Sequence, residues 1–192
     1  VQASANGRYA GAETQLAGQR IALTSFSGTS QVNDVPSRGI LIATTTEIGD
    51  SKVAAFAGTT FETSGLLDSS INGAFAESSE TVTQFTGLAA RGNLSSKWGF
   101  ESMASIGFSR LDVKGSGMLQ DIDEVASSTW AFEASRGLDA STSFHIGVSQ
   151  PLRVESGKSQ IELPLLYGSD GLINSHIVEA DLSPSGRQID FK

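Results

Sequence analysis

No cysteine occurs in the 192 residues, so disulfides and thiolate metal sites are excluded. Charge is scarce at 18% of residues, and the balance is acidic with a formal net charge of −8. Nucleic acid and anionic lipid headgroups are therefore not expected as partners. Aromatic residues make up only 7%, with two Trp and two Tyr, fewer than the interfacial girdles of membrane β-barrels usually contain. No run of about 20 apolar residues is present, so no transmembrane helix is expected. The opening VQASANGRYA has neither a basic start nor an apolar run, and no signal peptide is read there.

Glycine, by contrast, is abundant at 21 residues, and with the many Ser and Thr it favours strands and turns over helices. Residues 142–155 alternate most clearly. Phe144, Ile146 and Val148 lie on one face, and His145, Arg153 and Glu155 on the other. Residues 97–109 repeat the pattern, with Trp98, Phe100, Ile106 and Phe108 against Lys97 and Glu101. Trp130 and Phe132 alternate with Glu133 in the same way. A period of two means strands with one apolar and one polar face. Weaker segments at 19–26, 38–45, 52–61, 71–77, 83–91, 160–167, 176–182 and 187–192 bring the expected total to about ten or eleven strands, an all-β barrel or sandwich. Gly, Asn, Asp and Pro cluster between them, at 91–93, 136–141, 155–159, 168–171 and 183–186. Two segments stand apart. Met118, Leu119, Ile122 and Val125 have helical spacing, which predicts a short helix over 117–126. Residues 1–17 show little alternation and read as a linker or entry segment before a β-domain over 18–192.

Alternation alone leaves the apolar face undecided, because it meets lipid in a membrane barrel and a core in a soluble sandwich. Catalytic signals are few. His145 and His176 have no metal-ligand spacing around them, and the plainer reading of both is a polar residue in a hydrogen-bond network. No GxSxG is present, and GTSQ (28–31) lacks the context of a nucleophile turn. Asp121 with Asp123, and Glu179 with Asp181, share strand faces as a hydrolase pair might, yet solvated carboxylates explain them more simply. DIDE (121–124) lacks the glycine of a calcium loop. No metal, cofactor or enzymatic activity is expected of this chain.

FHIGVSQPLRVESGKSQIELPL, followed by DLSPSGRQIDF, resembles a segment near the C-terminus of secreted bacterial subtilisin-like serine peptidases, where an autotransporter-type β-domain follows the catalytic domain. The match falls on Val148–Gly157, Leu163–Pro164 and Asp181–Arg187, and FETSGLLDSSINGAF and GSGMLQDIDEVASS also look like that family. The likeness spans most of residues 50–192. It has no counterpart to the family's catalytic Asp, His and Ser regions, so it does not carry peptidase activity over. The family's barrel also continues past the SGR turn, whereas this sequence ends at Phe191-Lys192, so a partial barrel is expected.

The resemblance implies an antiparallel outer-membrane-type barrel of about 10–12 strands that exports or anchors an N-terminal passenger. Its partners would be outer-membrane lipid and that passenger, at the bacterial outer membrane or cell surface. Lys97, Glu101, Glu133, His145, Arg153 and Glu155 would then line a polar lumen. Trp98, Phe100, Ile106, Phe108, Trp130, Phe132, Phe144, Ile146 and Val148 would face lipid. The alternative is a soluble β-sandwich or barrel, an adhesion or assembly module that is secreted or periplasmic, in which the same apolar residues form the core.

Overall fold

A computed structural model describes residues 7–29, 34–67, 69–71, 74–76, 78–115, 117–138, 142–167 and 173–192. The chain is all-β with antiparallel sheets, and no helix forms among these residues. Nine strands make the main sheet: β1 (Arg8–Leu16), β2 (Gln19–Thr29), β3 (Pro36–Ile48), β4 (Ser51–Thr63), β7 (Ser78–Asn93), β8 (Trp98–Lys114), β10 (Val125–Gly137), β11 (Ser143–Ser156) and β14 (Asp190–Phe191). They neighbour one another in that order. Two inserted units complete the fold. β5 (Gly65–Leu66) pairs with β6 (Ser69–Ser70), and β12 (Lys158–Tyr167) pairs on one side with β9 (Leu119–Ile122) and on the other with β13 (Ile173–Asp181).

Because the main sheet is an antiparallel meander, its connections alternate between two ends. At one end they are short: 17–18, 49–50, 94–97 and 138–142. At the other they are longer: 30–35, 64–77, 115–124 and 157–189, the last three carrying the inserted units. The first short turn has Ala17 at φ 49° and Gly18 at φ 80°. Two successive left-handed residues match the twist of the flanking strands, and this is why the hairpin closes in two residues.

Strand register divides the side chains into two sets. Trp98, Phe100, Ile106 and Phe108 of β8 stand opposite Arg136, Ala134, Ser128 and Ala126 of β10. Phe132, Ala134 and Arg136 in turn oppose Val148, Ile146 and Phe144 of β11. All nine apolar residues singled out in the sequence therefore share one face, here termed the belt face. Following the register outward adds Leu88 of β7, Val53 and Phe61 of β4, Ile40 and Ile42 of β3, and Leu23 of β2. The opposite side is the trough face.

The buried core is small and lies at the long-connection end, over the trough face. Leu111, Leu119, Ile122 and Val125 form it, and Leu66, Leu67, Ile71, Val154, Ile161 and Leu182 pack around them. The inserted strands thus cap one end of the sheet. The helix predicted over 117–126 is instead β9 followed by the start of β10. Leu119 and Ile122 are both buried while Gln120 and Asp121 between them are exposed. An irregularity in the β9–β12 pairing, between Gln160 and Ile161, puts two residues three apart on the core side. Ladder partners from β12 outweigh the weak local preference.

Four further expectations are corrected. Residues 8–16, read as linker, are an edge strand fully paired with β2. Ile71 and residues 74–76 of the predicted strand 71–77 are loop, and of 187–192 only Asp190–Phe191 is strand. Lys97 lies in the turn before β8 rather than on its polar face. The predicted turn at 168–171, residues 139–141 of the turn at 136–141, and Ser30-Gln31 of GTSQ lie outside the described residues.

Candidate membrane-facing belt and inner trough

The belt face is unusually apolar for an exposed surface. Leu23, Ile40, Ile42, Leu88, Ile106 and Ile146 are each at least half exposed, and Phe61, Phe108, Phe132 and Phe144 nearly so. Single exposed apolar residues need no explanation, but a continuous field across seven strands does. Charge on this face is confined to its margins. Arg38, Glu80, Arg110, Asp112, Lys114, Arg153 and Glu155 sit at the long-connection end, and Arg136 sits at the short-turn end. The Arg38 guanidinium lies 5.6 Å from the Phe61 ring centroid and that of Arg136 lies 5.4 Å from Trp98. Each margin thus has one cation stacked on an aromatic ring. On β8 the charge-free stretch runs from Trp98 to Phe108. At a rise of about 3.3 Å per residue and a tilt of about 40°, that stretch is about 25 Å tall.

The trough face is built differently. Phe26 stands opposite Gly39, Phe85 opposite Gly58, and Phe56 opposite Gly87. Each ring occupies the space its glycine leaves, and the Phe56 and Phe85 rings are 6.4 Å apart. Ala22, Ala43, Ala54, Ala89 and Ala131 continue this smooth surface. A trough of about 490 Å³ on this side is lined by both Thr45 of β3 and Lys192, which follows β14. Six strand spacings separate β3 from β14. On a flat sheet at about 4.8 Å per spacing that is about 29 Å, so the sheet curls toward this face.

A row of charged groups crosses the trough face near the short turns. Glu47, Lys52, Arg91, Glu101, Glu133 and Gly147 stand opposite one another in turn across six strands. Lys192 continues the row through paired backbone bonds with Gly147. Lys52 Nζ is 2.8 Å from Glu47 Oε1. His145 sits one step nearer the short turns. Its Nδ1 is 2.8 Å from Glu133 Oε1 and its Nε2 is 2.9 Å from Ser143 Oγ. The middle of this face is therefore rich in Gly, Ala and Phe, and toward the long connections Ser79, Thr81, Thr83, Ser109 and Ser127 are buried on it.

Glu101, Glu133 and His145 are brought together as the alternation predicted, but Arg153 and Glu155 are not with them. Trp130 opposes Gln150 and Ser128 opposes Arg153, so Pro151 and Leu152 face Thr129 alone. This bulge shifts the strand's phase by one residue. Arg153 and Glu155 consequently stand on the belt side of β11, at its upper margin, together with Gln150. Pro151 has no N–H to give to a ladder, which is why the irregularity falls there.

Arg153 pairs with the Glu155 carboxylate. Ser128 Oγ donates to Glu155 Oε1 at 2.5 Å and Gln150 Nε2 donates to Ser128 Oγ at 3.0 Å. Arg187 donates to Gln150 and approaches Glu155, while Arg153 also donates to the carbonyls of Pro184 (2.8 Å) and Gly186 (3.3 Å). This network clasps the segment before β14 and leaves Gln150 fully buried with its amide satisfied. A proline within an alternating run was the sequence signal for the bulge.

His176 stands opposite Leu163 on the exposed β12–β13 hairpin, away from His145. Lys158 Nζ is 2.5 Å from Glu179 Oε1 on the same hairpin. At its base Asp181 accepts from the Oγ (2.7 Å) and N (2.8 Å) of Ser183, the hydroxyl bond first, and both hold its carboxyl below the ordinary 3.8. A lowered folded-state value means that the contribution is complete above 3.8 and is lost as pH falls through the folded value. The Ser183 amide is expected to exchange hydrogen faster, after correction for intrinsic rates, below that pH, and Asp181→Asn should remove the dependence.

No family model, curated protein or solved structure matched the chain. The autotransporter resemblance therefore rests on the quoted motifs alone.

Proposed function

We propose that the nine-stranded sheet is the membrane-spanning wall of an outer-membrane-type β-barrel, the translocator domain of an autotransporter-like secreted peptidase. The observation that carries the reading is the charge-free belt, about 25 Å tall on β8, the height of the apolar band of such barrels. In water this face leaves a broad apolar field unpartnered, whereas hydrocarbon covers it without any protein partner. Short turns at one end and long connections at the other fit the same class. The translocator role rests on the motif resemblance, and the smooth Gly/Ala/Phe trough offers few anchoring groups to a passenger segment passing along it.

A second reading keeps the sheet soluble, with the belt face buried against another protein. The scarcity of Trp and Tyr favours it, since Trp98 is the one Trp or Tyr at either margin of the belt face among the described residues.

The chain has no cysteine, so single reporters can be placed cleanly. Fluorophores on cysteines at 144, 146 and 148 are expected to be quenched by lipid-borne quenchers in reconstituted vesicles, while one at 145 answers only to aqueous quenchers. A folded, vesicle-free protein whose belt reporters are protected by a protein partner would replace the barrel with the second reading.

A further inference from the structure

We propose that Glu133, His145 and Ser143 form a nucleophilic relay that makes Ser143 an acyl-accepting serine for carboxylic esters. The three side chains are joined in series: Glu133 Oε1 to His145 Nδ1 at 2.8 Å, and His145 Nε2 to Ser143 Oγ at 2.9 Å. With the ring proton on Nδ1, held by the carboxylate, Nε2 is free to accept the Ser143 hydroxyl proton. That is the nucleophile–base–orienter arrangement of hydrolytic triads, recognised by geometry rather than by sequence order.

The fold creates it from residues outside any catalytic motif. Ser143 and His145 are two apart on β11 and so share the trough face, and Glu133 is one diagonal step away on β10. Neither a GxSxG turn nor a helix is involved, which explains why the sequence reading expected no activity. His145 and Glu133 side chains are 54% and 48% exposed, so a small ester can reach them.

In the step itself, Ser143 Oγ attacks the ester carbonyl carbon as its proton passes to His145 Nε2. The carbon–alkoxide bond breaks and the leaving oxygen takes that proton. Water then attacks the acyl-serine with His145 again accepting a proton, releasing the acid and restoring the hydroxyl. Glu133 acts through His145 and is a positioning residue. The inference does not depend on the membrane reading, because the relay needs only the β10–β11 hairpin.

The test treats the full, folded chain with a fluorophosphonate probe and follows p-nitrophenyl acetate turnover. One equivalent of probe is expected on Ser143 by mass spectrometry, lost in Ser143→Ala and retained in Ser135→Ala. His145→Asn should slow labelling about 100-fold or more, the usual share of a general base. Glu133→Gln should lower the acylation rate constant without weakening ester binding, and Glu133→Asp should recover part of it. All four positions lie on the hairpin's surface or half exposed, and circular dichroism of each variant checks that the fold is kept. Labelling of Ser143 no faster than of other serines, or equal labelling in His145→Asn, overturns the proposal.

Discussion

Ile146→Lys is expected to destabilise the proposed barrel in lipid vesicles by about 1–3 kcal/mol, between the cost of a lysine at the midplane and the small cost near the interface, because Ile146 stands one pair inward of the Phe144–Arg136 margin. Ile146 is 53% exposed on the belt face and stands opposite Ala134, so no protein group offers the ammonium a partner. One residue along, Gly147→Lys is expected to cost less than about 1 kcal/mol. A Cβ there meets Phe132 O at 3.4 Å and Glu133 Cβ at 3.8 Å, ordinary contacts, and the new charge lies beside the Glu133 carboxylate. Unfolding in urea from vesicles measures both. The exposure of Ile146 makes the comparison discriminating: on a surface facing water, Ile146→Lys would fall within about 0.5 kcal/mol of neutral. Equal, small effects at 146 and 147 would remove lipid from the belt face.

Gly58→Ala is expected to cost about 1–3 kcal/mol, as overpacking does where neighbours cannot retreat. Its new Cβ would lie 2.5 Å from Phe85 Cζ and 2.6 Å from the Ile40 carbonyl oxygen. The ring could rotate away, but the backbone oxygen belongs to the adjoining strand and is fixed by the ladder. Gly137→Ala is the control, since a Cβ there meets nothing within 4 Å. Denaturation midpoints of the two variants give the difference, and a neutral Gly58→Ala would show that the phenylalanine seats are loosely packed. If Phe85→Ala is combined with Gly58→Ala, only the ring's share of the cost should be recovered, because the Ile40 carbonyl remains.

Much of the architecture was written in two-residue periodicity. The strands around 98–108, 130–135 and 143–148 could be read directly because one face of each is uniformly apolar, and register then placed all nine chosen apolar residues on the same side. Glu101, Glu133 and His145 were legible for the same reason. What escaped had identifiable physical causes. Arg153 and Glu155 changed sides because a bulge at Pro151-Leu152 slips the phase, and alternation carries no information across such a slip. Residues 119–122 looked helical because a strand irregularity imitates the spacing of a helix face. The edge strand at 8–16 is short of large apolar residues, so its ladder with β2, a long-range property, is what defines it. Gly39, Gly58 and Gly87 read as generic β-turn composition, and only the register shows them beneath phenylalanines on the neighbouring strands. The Ser143–His145–Glu133 series was invisible because its third member joins across the hairpin.

The two borders of the main sheet are held very unequally. β1 is zipped to β2 over nine residue pairs, from Arg8–Ser27 to Leu16–Gln19. β14 meets β11 over Val148–Phe191 and Ser149–Asp190, with Gly147 and Lys192 exchanging bonds beyond. Opening a border costs what its ladder and packing are worth, so fluctuations that part strands should begin at β14 far more often than at β1. What keeps β14 in place is largely remote from its own ladder: the grip of Arg153 and Arg187 on the segment just before it. The sheet therefore has a hinged side and a latched side, and the latch is made of guanidinium groups that salt can weaken while the hinge is made of backbone bonds that it cannot.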